Sequence, residues 1–328
     1  LGARRFSWQN KTVENTRFFK IRIGTIVPDR AIPFDLYIQL GIRHIHYLRS
    51  GQSLSLEKIK KMDRSDAFFI REEERGAYKK FIFERLNDGQ LDSIAKASIL
   101  RESSMTLAEE IFEQSDVENA LIESRELISQ FIDFMDKEPD GMANLISLSS
   151  HDFYTYNHSL DVGIYSLGLG QVAGYSPQEL VELGQGALFH DIGKRNVDVE
   201  IICKEGPLSE TEWAQMKKHP QFGLKILMEH NASESMIACC FEHHENFFGN
   251  GYPQQLPGKD IHPMARIVAI TDTYDALTTK RSYNEPKSPF EAIEFMNTKL
   301  AGRYDEDLLK AMQSVLFKMT KAPLPSSF

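Results

Sequence analysis

Three helix-start signatures in the second half of the chain constrain its fold most tightly. Ser176-Pro177-Gln178-Glu179, Ser209-Glu210-Thr211-Glu212 and Ser288-Pro289-Phe290-Glu291 each set a serine three residues before a glutamate. At that spacing the hydroxyl accepts from the glutamate amide and the carboxylate reaches back to the serine amide. Two otherwise unpaired donors of a first helical turn are thereby satisfied. Proline at the first helical position of two of them presets φ. Tyr175 with Leu180, and Leu208 with Trp213, stand where apolar pairs clamp the incoming chain. The three starts predict an all-α domain over residues 142–328.

The first part of the chain reads differently. Residues 18–27 alternate in part before Pro28-Asp29, residues 35–40 and 42–48 flank Gly41, and residues 67–70 form a short apolar run. These patterns predict strands, with helices over 55–62 and 72–86. Asn87-Asp88-Gly89 punctuates the end. Residues 1–88 are therefore expected to form a small α+β module with a regulatory role. Residues 89–141, helical from about Leu91 to Phe134, are expected to be a connector. The class is mainly α.

Lys and Arg total 38 against 47 Asp and Glu, a formal charge of −9. Such a chain lacks the basic field that DNA, RNA or an anionic membrane would need. No apolar run is long enough to span a bilayer, and the opening residues carry no apolar signal core. Cys203, Cys239 and Cys240 make no disulfide framework. The expected location is a reducing cytoplasm.

Five of the ten histidines form a series with two aspartates: His158, His190-Asp191, His219, His243-His244 and Asp272. Imidazole suits transition metals, and a carboxylate has two oxygens with which to bridge two cations. His190-Asp191 closes the helix begun at Ser176, with Gly193 just beyond, and adjacent side chains can converge at such an unwinding end. By themselves these residues support a metal cluster and a scatter of core histidines about equally. His44 and His46, alternating on one predicted strand, are far more in keeping with a solvated strand face than with a metal site.

The motifs resolve that choice through a resemblance. His190-Asp191-Ile192-Gly193-Lys194 resembles the signature of the HD phosphohydrolase superfamily. His243-His244-Glu245-Asn246-Phe247-Phe248-Gly249-Asn250-Gly251-Tyr252-Pro253 resembles the extended motif of its HD-GYP subgroup. Gly206-Pro207-Leu208-Ser209, Met216-Lys217-Lys218-His219-Pro220, the residues around Asp272 and those leading into His158 match in order and spacing. The likeness covers about residues 142–309. It implies an all-α HD-type domain that hydrolyses cyclic di-GMP to linear pGpG, or onward to GMP, in bacterial signalling.

The resemblance also implies roles. His158, His190, Asp191 and Asp272 would hold one divalent metal. Asp191 would bridge to a second, held also by His219, His243 and His244. Iron is the expected ion and manganese the next, with zinc compatible. Asp191 and Lys194 would be catalytic. Lys194, Arg281 and Tyr252 would meet the cyclic dinucleotide, and the Gly-Tyr-Pro loop could meet a signalling protein. Asp275 is expected to be a hydrogen-bonding partner rather than a ligand. Because every motif falls after Met142, a fragment starting near Glu138 is expected to hold the metals alone.

Three positions depart from the pattern. Phe248 stands where the loop normally has an aspartate, removing an expected tether of the Gly249–Gly251 turn. Tyr154 stands where some members carry a third-metal glutamate. Asn284 replaces a basic residue just after Arg281. These changes keep two alternatives open, a weakly active cyclic-dinucleotide receptor or scaffold and a hydrolase of another phosphate ester.

Overall fold

A computed structural model describes residues 17–61, 67–113, 116–149, 155–280 and 285–320. The chain divides into two compact units, Leu1–Asn87 and Asp88–Phe328. In the first, strands β1 (Phe18–Arg22), β2 (Leu36–Leu40), β3 (Arg43–Leu48) and β4 (Ala67–Arg71) form one sheet in the order β1-β4-β2-β3. The pairings are antiparallel. Helices α1 (Leu56–Lys61) and α2 (Arg75–Leu86) complete this unit.

Strand alternation sorts the residues onto two faces. Phe19, Ile21, Leu36, Phe68 and Ile70 are buried on one, and Phe19 and Phe34 meet Tyr78 of α2. On the other, the His44 ring stacks on Phe18 at 3.9 Å and meets Phe69 edge-on at 4.6 Å. His44 is thus engaged by aromatic rings, and no metal-type cluster among the described residues includes it or His46. The first strand ends at Arg22, short of the expected Val27. There Thr25 Oγ1 donates to the Arg22 carbonyl at 2.7 Å, and the Ile26 amide closes a 3-10 turn on Ile23 at 2.9 Å.

The second unit is helical: α3 (Ser93–Glu113), α4 (Val117–Lys137), α5 (Gly141–Ser147), α6 (Thr155–Val172), α7 (Pro177–Phe189), α8 (Val199–Ile202), α9 (Glu210–Met216), α10 (His219–Glu229), α11 (Glu234–Glu242), α12 (Pro263–Thr278), α13 (Pro289–Thr298) and α14 (Glu306–Thr320). All three capping boxes form, at Ser176, Ser209 and Ser288. Leu180 and Tyr175 both lie over Gly170, whereas Trp213 is about half exposed, 47%, and staples little. A common core joins Val162, Leu169, Leu183, Ala187, Ile267, Ile293 and Met312.

Residues 89–141, expected to be a connector packed onto or leading into the second domain, lie within this second unit. Gly184 of α7 has no side chain, and Ile128 of α4 fills the space a Cβ would occupy. Arg101 of α3 forms a buried ion pair with Asp161 of α6 at 2.5 Å. Lys96 of α3 pairs with Glu138 at 2.6 Å. Among the described residues no helix is long and apolar enough to cross a membrane.

Candidate metal centre

The helix ends converge. His190 caps α7, Asp191 follows it, and a 3-10 turn over Ile192–Asn196 carries Lys194. His219 opens α10, His243 caps α11 with His244 next, and His158 and Asp272 lie within α6 and α12. Gly193 lets this convergence happen, because a Cβ there would collide with the His219 carbonyl and come within 2.5 Å of the Gly223 amide nitrogen. Gly223 in turn is filled by the Cys240 sulfur, and Gly186 by that of Cys239. Both cysteines are core packing, as their apolar surroundings suggest.

The side chains form two triads of potential ligand atoms, His219/His243/His244 and His158/His190/Asp272, linked through His190/Asp191/His243. Asp191 divides its two oxygens between them. Oδ1 faces His219 Nε2 at 3.3 Å and His243 Nε2 at 3.8 Å. Oδ2 faces His190 Nε2 at 3.4 Å and His158 Nε2 at 3.7 Å. Asp272 Oδ1 lies 3.2 Å from His158 Nε2.

Tautomers follow from the hydrogen bonds. Nδ1–H of His190 donates to the Ala187 carbonyl at 2.6 Å, that of His219 to Met216 at 2.8 Å, and that of His243 to Cys240 at 2.9 Å. Each neutral ring therefore turns an Nε2 lone pair toward Asp191. His219 Nε2 and His243 Nε2 stand only 3.3 Å apart. Asp191 Oδ1 and His190 Nε2 are buried with no hydrogen-bond partner. Two lone pairs aimed at each other beside an unpartnered carboxylate oxygen repel, unless a cation lies between them. The donor set fits a pair of transition-metal ions.

Electrostatics agree. Burial, joined by neighbouring imidazoles, lowers His219 to about 4 and His244 to about 3, and pushes His243 well below its ordinary value. These rings are neutral at pH 7, as ligands must be. His158 differs. Burial disfavours its cation, but Asp272 and Asp275 overcome this and raise it to about 9. Asp275 Oδ2 accepts from His158 Nδ1 at 2.7 Å, the hydrogen-bonding partnership expected of it, and the bond orients the ring. Against burial, Lys194 and His190 hold Asp191 well below the carboxylate range.

Lys194 Nζ donates to Asp191 Oδ2 at 2.5 Å. Tyr252 stacks on the His244 ring at 4.7 Å. Its amide donates to the His244 carbonyl at 3.2 Å. Gly251 makes this approach possible, since a Cβ there would stand 2.5 Å from Glu245 Cα. Arg281, Tyr154 and Asn284 lie outside the described residues.

The loop has a tether that the sequence reading missed. Buried Glu245 accepts from the amides of Gln254, Gln255 and Leu256 at 2.6, 3.0 and 3.1 Å. A carboxylate directly after a His-His pair at a helix end was the available signal. The tether expected to be missing at Phe248 is supplied by Asn246, whose Oδ1 accepts from the Phe248 amide at 3.0 Å and whose Nδ2 donates to Asn250 Oδ1 at 2.5 Å. The Phe248 ring lies against the Gly302 backbone.

Several known proteins are similar to this chain. A cyclic di-GMP phosphodiesterase of Pseudomonas aeruginosa, PA4108, is 33% identical over 176 residues, covering 53% of this chain and 42% of that protein. A cyclic di-GMP phosphodiesterase of Thermotoga maritima is 29% identical over 240 residues, covering 72% and 59%. The chain thus spans less than two thirds of these relatives. Among solved structures, Bd1817, a HDG"Y"P protein from Bdellovibrio bacteriovorus, shares the fold with a TM-score of 0.73 at 23% identity, over 92% of this chain and 99% of that one. The HD domain family itself matches residues 141–308, half of the chain and every residue of the two triads, so the chain belongs to the HD domain family.

Proposed function

We propose that this chain is a cytoplasmic phosphodiesterase that hydrolyses a cyclic dinucleotide, cyclic di-GMP first, to its linear form. The observation that carries the reading is Asp191, whose two oxygens face two separate histidine sets. His158, His190 and Asp272 would hold one cation, His219, His243 and His244 the other, and Asp191 both. Iron is the proposed ion and manganese the next. Two divalent cations held there would supply activation of water and neutralisation of charge on the phosphoryl oxygens.

The chain's own residues do the rest. Backbone carbonyls lock three imidazoles by their Nδ1–H groups, so little reorganisation is needed. Lys194, resting on Asp191, is proposed to donate a hydrogen bond to the leaving 3′ oxygen. Tyr252 covers His244 and excludes water from that side. Arg281 is proposed to take a phosphate oxygen.

The supporting names are those of the relatives, cyclic di-GMP phosphodiesterases in Pseudomonas aeruginosa and Thermotoga maritima. A second reading, docking of a signalling protein at the Gly-Tyr-Pro loop, is supported by Phe248, which is 67% exposed. The test is metal analysis of the purified protein, then chromatography of cyclic di-GMP and its linear product, with a His190→Ala control. Two ions per chain and product formation lost in the control are expected. A metal-loaded chain that binds cyclic di-GMP without converting it would favour the receptor reading instead.

A further inference from the structure

We propose that the tip of the β2–β3 hairpin is a membrane-docking surface, which inserts Leu40 and Ile42 among the acyl chains of an anionic lipid bilayer. The formal charge of −9 conceals an uneven division. Residues 1–87 hold 18 Lys and Arg against 10 Asp and Glu, a formal +8, whereas residues 88–328 hold 20 against 37, a formal −17. The basic field that the chain lacks as a whole is therefore present on its first unit.

The hairpin presents apolar surface at its end. Gly41 and Ile42 make a two-residue turn, with Leu40 and Arg43 facing each other across it. Gly41 takes the positive φ, 61°, that such a turn requires at its first position. The Ile42 side chain is left at the apex, 96% exposed, beside Leu40 at 60%. Register sets Ile38, Leu40, Arg43, Ile45 and Tyr47 on one face of the hairpin, and Gln39, His44 and His46 on the other. Near its base the apolar face joins the core, where Tyr47 meets the buried Phe68 ring edge-on at 6.0 Å. Toward the tip the same face stands in water.

Charge and shape together select the partner. Arg43 is exposed at the turn, and among the described residues its side chain has no carboxylate partner. Arg49, Lys58 and Lys60 of the same unit are exposed as well. Aliphatic side chains at an apex, carried on a basic unit, match an apolar layer beneath anionic headgroups. Either contribution alone holds a protein weakly, and the two together hold it firmly. A protein strand added along the β3 edge would pair its backbone but leave Ile42 in water, because Ile42 lies in the turn rather than in the strand. The hydrolytic chemistry proposed above is independent of this surface, and failure of either leaves the other standing.

The test is sedimentation of the full chain with vesicles of phosphatidylcholine alone, and of equal parts of phosphatidylcholine and phosphatidylglycerol. Binding is expected to the mixed vesicles, to be much weaker on the neutral ones, and to fall with added salt. Ile42→Ser is expected to weaken it roughly 10- to 100-fold, the worth of one aliphatic side chain buried, and Arg43→Gln about 5-fold. Ile122→Ser, which alters an exposed aliphatic of α4, should change nothing. Urea unfolding and metal content should be the same in all of these variants, since both isoleucines are exposed. Absence of binding to the mixed vesicles overturns the proposal, as does equal binding by Ile42→Ser or a parallel loss in Ile122→Ser. Concentration-dependent self-association that Ile42→Ser abolishes, without vesicle binding, would assign the hairpin tip to a second copy of the chain and overturn it too.

Discussion

Gly193→Ala tests whether the metal centre depends on helix ends touching through bare backbone. The added Cβ would stand 2.5 Å from the Gly223 nitrogen, where ordinary contact begins at 3.4 Å, and would also overlap the His219 carbonyl. Relief requires at least about 0.9 Å of separation between the 3-10 turn and the start of α10, and more to clear the His219 carbonyl. Overpacking of this kind destabilises by roughly 1–3 kcal/mol. The same movement carries His219 away from Asp191 Oδ1, now 3.3 Å from its Nε2. Disturbance of a ligand's setting weakens metal binding by about 10–100-fold. The loss should fall on the His219/His243/His244 triad and spare His158/His190/Asp272. Urea unfolding gives the first quantity, and Mn²⁺ titration followed by electron paramagnetic resonance gives the second. Gly89→Ala is the control, since a Cβ there meets nothing within 4 Å. Gly193→Ala retaining both ions at unaltered affinity would refute the reasoning, as would equal loss from both triads.

Asp191→Asn should empty both metal positions together, measured as metal per chain by mass spectrometry, whereas Asp272→Asn should spare one. Glu245→Ala leaves three amides without their acceptor. It should destabilise by roughly 2–3 kcal/mol and raise hydrogen exchange at residues 254–256 first. A fragment starting near Glu138 is expected to fail in metal binding, contrary to the sequence-based division, because it loses Arg101 and strands Asp161. Breaking such a buried pair costs about 3–5 kcal/mol, and a fragment starting at Asp88 should bind normally. Phe248→Asp should leave metal content and turnover nearly unchanged, because Asn246 already ties the turn, whereas Asn246→Ala should lower turnover.

The legible parts of this protein were those written within a few residues. Capping boxes, the His190-Asp191 pair at a helix end and the strands around Gly41 depend on neighbours in sequence, and the structure carries each of them. The missed parts join distant segments. Arg101 meets Asp161 across sixty intervening positions or so, and nothing local distinguishes that arginine from a solvated one. The same holds for Gly184, whose missing side chain matters only because Ile128 fills its place. The connector over residues 89–141, expected to pack onto or lead into the second domain, shows the same limit. Its helices look amphipathic from sequence, but the surface they cover belongs to a partner that sequence periodicity cannot name.

The candidate metal centre combines both kinds of information: its residues stand out in sequence, while their convergence is visible only in the structure. At three helix ends a histidine lies three residues after a carbonyl of the closing turn, where acceptors run short of amide partners. The Nδ1–H groups of His190, His219 and His243 satisfy such carbonyls at Ala187, Met216 and Cys240. That one local bond fixes the ring, selects the tautomer and aims the Nε2 lone pair away from the helix, so each end presents a candidate ligand by itself. What no single end determines is that the three lone pairs meet at Asp191. That depends on Gly193 against the His219 carbonyl and Gly223 against the Cys240 sulfur, two close approaches that any side chain would block. Substitutions at the histidines should therefore remove ions with little effect on the fold. Substitutions at the two glycines should move whole helix ends and lose ions through displacement. Measuring stability and metal content together in the same variants separates the two classes.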